Sequence, residues 1–451
     1  MKRHPHFAHA VQRELSDWRL WSTRFVVIAF AVLSGLTVVL FTWMTEQALS
    51  LFQMMVRGAW WMPLIWTPIG TGAIVWLTRR LAAGSAGSGI PQVMAALTPG
   101  LEQSASSWFV SLKLSAAKMV LTAGGLLCGL SLGREGPSVQ IAAGIMHSAK
   151  RFLHKSGPVS EHGLLIAGGA AGIAAAFNTP LGGIMFAIEE LSRKPEQRSN
   201  GLIMAAIVVS GLMAVSIYGN STYFGVIKAG AVNTALFLPA LLVALVSGAA
   251  GGLFSRLMVA SLAGRSNDWF TRVRASHPVR FAAGCGLIVA VFGVVTEGAT
   301  FGSGYLYTRH MLEGSGEQRQ LYVLLKFMAT WITSWSGVPG GIFAPSLAIG
   351  ASIGNDLASL MDASQASTLI ALGMAGFLAA VTQAPLTSFI IVMEMVDGHG
   401  LVLSLMASAL VASGVSRLIS APLYAALAEL QLLRLPQPLR PAQEKMPPEG
   451  H

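Results

Sequence analysis

Apolar stretches recur along this chain, among them Phe25–Thr42, Leu202–Tyr218 and Leu236–Phe254. Each approaches or reaches the roughly 20 residues that cross the hydrocarbon of a bilayer as a helix. Composition agrees, since 53% of the residues are hydrophobic and 11% charged, whereas soluble domains carry roughly a quarter charged. The fold class read from this is an all-α polytopic membrane protein. The 49 glycines and 20 prolines are spread through apolar sequence rather than gathered in linkers. That placement predicts closely packed and interrupted helices.

The net charge of +10 does not indicate nucleic acid, because no basic patch alternates with aromatics. Basic residues cluster in short connections instead: Arg13, Arg19 and Arg24; Arg79-Arg80; Arg193, Lys194 and Arg198; Arg272, Arg274 and Arg280. Such loops face the cytoplasm. Two crossings, about Phe25–Leu51 and Trp60–Leu77, return the chain to the side of its N-terminus. The expected organisation is a cytoplasmic segment (1–24), a membrane domain (25–430) with repeats at about 25–220 and 233–430, and a short cytoplasmic tail (431–451). The first apolar segment is too long for a cleaved signal peptide, and the expected location is the inner (plasma) membrane. Cys128 and Cys285 lie in apolar sequence and read as packing residues, with no metal site or disulfide framework implied.

Within the apolar sequence stands Gly133-Arg134-Glu135-Gly136-Pro137, followed by a helical pattern from Ser138 to Ile145. Ionisable groups at such depth usually serve a site. Gly133 and Gly136 permit an irregular backbone with close approach by a ligand. Pro137 suits the first turn of a helix. The motif reads as a broken helix whose free N–H groups and positive dipole end attract an anion, with the Glu135 carboxylate placed where that anion would bind. The plainer reading is a structural Arg134–Glu135 ion pair at a helix cap.

Other motifs have the same character. Gly87-Ser88-Gly89-Ile90-Pro91 is too rich in glycine to continue a helix, and Pro91 can open a new one with Ser88 near its N-terminal end. Glu189 and Glu190 end a helical hairpin over Gly163–Leu191 and read either as interfacial residues or as part of the site. The motifs also recur. Pro180 and Glu189 return as Pro385 and Glu394, 205 positions on (385−180), while Lys118 and Pro137-Ser138 return as Lys326 and Pro345-Ser346, 208 on (326−118). Gly87-Ser88-Gly89 returns as Gly302-Ser303-Gly304, 215 on (302−87). Transporters with internal repeats bind substrate between discontinuous helices at the midplane. The spacing leaves open whether the repeats are inverted.

Gly87-Ser-Gly-Ile-Pro91, Gly133-Arg-Glu-Gly-Pro137 and Gly341-Ile342-Phe343-Ala344-Pro345, in that order, resemble the three signature motifs of the CLC family of chloride channels and chloride/proton antiporters. The likeness extends over about residues 25 to 430. It implies an inverted repeat of tilted and broken helices, assembled as a homodimer with a separate pathway in each subunit, and a bacterial type without the cytoplasmic regulatory domain. Glu135 resembles the family's external gating glutamate, Ser88 the serine on the central chloride, and Ile342 and Phe343 the residues whose N–H groups hold it. Tyr424 resembles the tyrosine that completes the site, and Glu190 the internal proton glutamate of the coupled members. Serine at 88 resembles the chloride-preferring members rather than the nitrate-preferring ones. The implied substrates are chloride and protons, with no cofactor, no metal and no enzymatic reaction. Two other readings are open at this point: a passive voltage- or pH-gated chloride channel of the same fold, and an intramembrane serine hydrolase using Ser88, for which His147 would be the base.

Overall fold

The computed structural model describes residues 18–101, 103–154, 159–192, 200–219, 222–226, 236–264, 268–314, 321–361 and 363–435. These residues form helices and turns and no extended strand. In chain order the first repeat holds α1 (Trp18–Gly58), α2 (Pro63–Leu81), α3 (Ile90–Ala96), α4 (Gln103–Phe109), α5 (Leu112–Leu127), α6 (Glu135–Ser148), α7 (Glu161–Phe177), α8 (Pro180–Phe186) and α9 (Asn200–Tyr218). The second holds α10 (Phe237–Ala263), α11 (Trp269–Ser276), α12 (Pro278–Val295), α13 (Tyr305–Leu312), α14 (Tyr322–Ser336), α15 (Phe343–Met361), α16 (Ala366–Thr382), α17 (Pro385–Met395), α18 (Val402–Arg417) and α19 (Leu423–Leu433). Seven helical spans among the described residues are long and apolar enough to cross a membrane.

Two boundaries differ from the sequence reading. α1 already begins at Trp18, and α11 occupies a stretch read as polar connection. The Asp268 side chain accepts from the Thr271 N–H at 2.8 Å and so caps α11. Short polar helices of this kind lack the apolar run that marks a span. The N-terminal residues 1–17 and the tail from 436 lie outside the described residues.

Local chemistry sets the breaks. Pro91, Pro180 and Pro385 stand in the first turn of α3, α8 and α17, where no N–H is missed. α7 and α16 end on Asn178 and Gln383, both left-handed at φ 58° and 59°, each two residues before its proline. α7 and α16 are almost wholly buried, packed against α6 and α15 respectively.

Contacts between the repeats are reciprocal, as a two-fold relation requires. Glu189 accepts from the N–H groups of Leu386 (3.1 Å) and Thr387 (2.6 Å). Its counterpart Glu394 accepts from Leu181 (3.2 Å) and Gly182 (2.6 Å). Each carboxylate thus caps the other repeat's half-helix, where N–H groups are free and the dipole end is positive. Glu189 is therefore a cap rather than a merely interfacial residue.

Candidate anion site

Two fully buried lysines shape the loops ahead of the half-helices. Lys118 Nζ donates to the carbonyls of Ser85 (2.7 Å) and Gly87 (2.5 Å). Lys326 Nζ donates to those of Thr300 (3.0 Å) and Gly302 (2.7 Å). The carbonyl pairs are equivalent, each 215 positions apart (300−85; 302−87). Gly87 at φ +83° and Gly89 at φ +113° occupy backbone space that side chains rarely enter. Ser88 is thereby presented next to the start of α6: a Cβ added to Gly136 would stand 2.3 Å from Ser88 Oγ.

The starts of α6 and α15 meet directly. Gly133 and Gly341 exchange backbone hydrogen bonds at 2.7 and 2.8 Å, and Gly340 N–H donates to the Gly87 carbonyl at 3.1 Å. All three glycine motifs are thus tied into one node. Glu135 is fully buried in the first turn of α6. Its Oε2 accepts from the Ala344 N–H of α15 at 3.4 Å, and its Oε1 has no partner. Ile342 and Phe343 stand at the start of α15, where first-turn N–H groups have no intrahelical acceptor. The Phe343 ring lies parallel to that of Tyr424, 6.4 Å away at 6°. Tyr424, in the first turn of α19, turns its hydroxyl toward Ser88 Oγ. The two do not align as a hydrogen bond, so both buried hydroxyls keep their donors free. Glu190 is buried on the π-helical turn that follows α8, within electrostatic reach of Tyr424.

Access comes from opposite faces. A narrow cleft lined by Gly87, Ser88, Pro91, Gly340 and Ile342 opens past Arg274 and Arg434. Arg79, in the last turn of α2, acts electrostatically on both of these arginines. The cleft therefore opens on the face where α1 begins and α2 ends. A cavity of about 560 Å³ reaches Glu135 and is lined by Glu46, Leu49 and Gln53 in the later part of α1, so it opens on the other face. Ser303, the repeat partner of Ser88, lines this second cavity. Equivalent serines facing opposite sides show that the repeats are inverted, which spacing alone left open.

The structure brings Ser88, Glu135, Ile342, Phe343 and Tyr424 together, with Glu190 within electrostatic reach of Tyr424. The supposed Arg134–Glu135 cap pair does not form: Arg134 Nη1 bonds Glu46 Oε1 at 2.7 Å, and the guanidinium lies over the Tyr223 ring at 5.8 Å. The sequence reading missed Glu46 and Tyr223. Glu46 is the one acidic residue in α1, a signal that was available; Tyr223 sits in a short connection that carries none. His147 lies at the far end of α6 and bonds Glu161 (2.5 Å) and Lys150 (3.1 Å). Eleven residues of helix (147−136) separate it from Gly136, about 16 Å at 1.5 Å per residue, so it cannot act as base for Ser88. Cys128 and Cys285 are free and buried.

Fold and site together define a multi-pass membrane transport protein whose inverted repeats meet at broken helices around a buried carboxylate. The family profile described as voltage gated chloride channel matches residues 70–417. The H(+)/Cl(-) exchange transporter ClcA of Cronobacter sakazakii is 32% identical over 369 residues, covering 77% of this chain and 75% of the relative. The protein of the same name from Klebsiella pneumoniae subsp. pneumoniae is 30% identical over 435 residues, 91% of this chain and 89% of its own. Among solved structures, a slow cyanobacterial Cl−/H+ antiporter superposes with TM-score 0.77 at 24% identity, over 92% of this chain and 98% of that one. A CLC-type fluoride/proton antiporter gives 0.75 at 21%, over 91% and 99%; at these identities the likeness establishes the fold. The chain belongs to the CLC family of chloride channels and chloride/proton antiporters.

Proposed function

We propose that this protein exchanges chloride for protons across the inner membrane, with Glu135 as the gate. The observation that carries the reading is the Glu135 carboxylate itself, fully buried between two half-helix starts with one oxygen unpartnered. Chloride dehydrates at a cost, and neutral donors can replace its water without trapping it as a fixed cation would. The free hydroxyls of Ser88 and Tyr424 and the N–H groups of Ile342 and Phe343 are such donors, and together they form the chloride site. A charged Glu135 competes for the neighbouring anion position. Once protonated it no longer does so, and anion and proton movement become linked. Glu190 carries protons between Glu135 and the face on which the Ser88 cleft opens. No cofactor enters this cycle.

The distribution of basic residues, with Arg79, Arg274 and Arg434 on that face, supports reading it as cytoplasmic, with the N-terminus inside and the Glu135 cavity outside. The subunit works as one half of a homodimer with its own pathway, as in the family it belongs to. The test uses proteoliposomes with a chloride gradient and no initial pH gradient. Protons driven against the developing pH gradient support exchange. Chloride flux without proton movement would make the protein a passive channel.

A further inference from the structure

We propose that Glu46 positions Arg134, holding its charge away from Glu135, and so sets how much external acid opens the anion path. The inference rests on the reading of Glu135 as the gate. Arg134 immediately precedes Glu135 and stands at the N-cap of α6, yet its side chain pairs with Glu46 rather than with its neighbour, which stays within its electrostatic field. Its Nη1 meets Glu46 Oε1 at 2.7 Å, with side-chain exposures of 14% for Arg134 and 52% for Glu46. The Tyr223 ring supports the guanidinium from one side. The pair therefore sits at the wall of the cavity that reaches Glu135, with the carboxylate wet and the cation largely dry.

An arginine stays charged throughout the accessible pH range. While Glu46 is ionised, Arg134 has a bonded counter-charge. With Glu46 neutral, the other carboxylate in its field is Glu135. The guanidinium then attracts the Glu135 carboxylate, favours its charged form and keeps it in the anion path. More acid is needed to release it.

Other titratable groups face this cavity and a neighbouring one that Glu46 and Arg134 also line, together with Tyr218, Arg309 and Asp397. Tyr218 on α9, Tyr223 and Tyr305 are phenols, and the working window stays below the range where phenols ordinarily titrate. Arg309 on α13 is bonded to Glu313 at 2.8 Å, and Asp397 after α17 to His399 at 2.9 Å. Glu297 and His310 line the cavity that reaches Glu135 as well, so each requires its own control.

The experiment records chloride flux from proteoliposomes against external pH at fixed internal pH. For Glu46→Gln the expected result is an unchanged maximum, reached half-way at about tenfold higher external proton concentration, a shift of about one pKa unit at Glu135. Glu46→Asp restores most of the unmodified profile, and Glu297→Gln and His310→Gln leave it in place. In an Arg134→Gln background, Glu46→Gln moves nothing further. If that background does not assemble, Arg134→Lys replaces it; lysine lacks the planar fork, so the shift on removing Glu46 must shrink. An unmoved Glu46→Gln profile overturns the proposal, as does a shift that stays the same size whatever stands at 134. Glu135→Gln in the same vesicles separates the two readings. If it keeps the pH dependence, the gate assignment falls; if it loses it while Glu46→Gln matches the unmodified protein, only the role of Glu46 falls.

Discussion

Gly133 and Gly341 donate their N–H groups to each other's carbonyls, at 2.7 and 2.8 Å. They are repeat equivalents, 208 positions apart (341−133), so the internal two-fold axis runs between them. The starts of α6 and α15 are fixed to each other by backbone alone. Side chains are kept out because there is no room: a Cβ on Gly341 would stand 3.0 Å from Gly136 N and 3.1 Å from Gly133 O. The node thus fixes the two half-helix starts, and in the proposed cycle Glu135 is the part that moves.

Gly133→Ala tests this division. The added Cβ would lie 2.3 Å from Glu135 Oε2, but 3.1 Å from Pro345 Cδ and 3.3 Å from Ala344 Cβ. The carboxylate is the flexible partner, so it moves and the node survives. Losing its bond to Ala344 N–H, of the order of 1 kcal/mol, raises chloride flux at neutral pH about fivefold and flattens its pH dependence. The protein still elutes as a folded assembly. Flux indistinguishable from the unmodified protein would show that Glu135 is not seated as described.

The two buried lysines make a matched pair of stability tests. Lys118→Met leaves the Ser85 carbonyl without its donor while the Gly87 carbonyl keeps the Gly340 N–H, and Lys326→Met takes the lysine donor from both Thr300 and Gly302. Buried unpaired carbonyls cost about 1–3 kcal/mol each, less what is regained by not burying a charge. Thermal unfolding in detergent should fall in both variants, somewhat less for Lys118→Met because the Gly87 carbonyl keeps a partner, and the double variant measures how far the two loops couple through the node. A large loss for one lysine and none for the other would refute the equivalence of the two loops.

Much of this was legible in the sequence because half-helices are written in glycine and proline. Gly87, Gly89, Gly133, Gly136 and Gly341 mark places where backbone meets backbone, and Pro91, Pro180 and Pro385 mark where helices restart. The recurrence of Lys118 as Lys326 and of Glu189 as Glu394 revealed the repeat. Three things were hidden for one reason: they depend on partners distant in the chain. The direction of Arg134 is decided by Glu46, 88 residues away (134−46). The capping role of Glu189 needs Thr387, and the inversion of the repeats appears only when Ser88 and Ser303 are seen on opposite faces.

Ser88→Pro should shift preference from chloride toward nitrate. The position resembles the serine of chloride-preferring family members, and its Oγ is a buried hydroxyl with no protein partner. Proline removes this donor from the proposed chloride site while leaving the loop's Lys118 bonds, which use other carbonyls, in place. Chloride relies on strong donors more than the larger, weakly hydrated nitrate does. Fluxes of the two anions in vesicles should reverse in order. Unchanged selectivity would show that Ser88 does not line the path.

The two glutamates separate exchange from passive conduction. Glu135→Gln keeps the size of the side chain but fixes it neutral, as in the protonated gate. Chloride should pass, with flux that no longer rises as external pH falls and that moves no protons. Glu190 lies on the turn after α8 and takes no part in the backbone node, so Glu190→Gln leaves Glu135 free to respond to external acid. In that variant chloride flux should persist and still increase on external acidification, while proton pumping fails because the supply from the cytoplasmic side is cut. The sign of the pH effect follows from the gate: a charged carboxylate blocks, and protonation from outside unblocks. Normal pumping by Glu190→Gln would return Glu190 to the status of a buried structural residue. Were the unmodified protein to move no protons at all, Glu135 would gate a channel, and the same vesicles would report it.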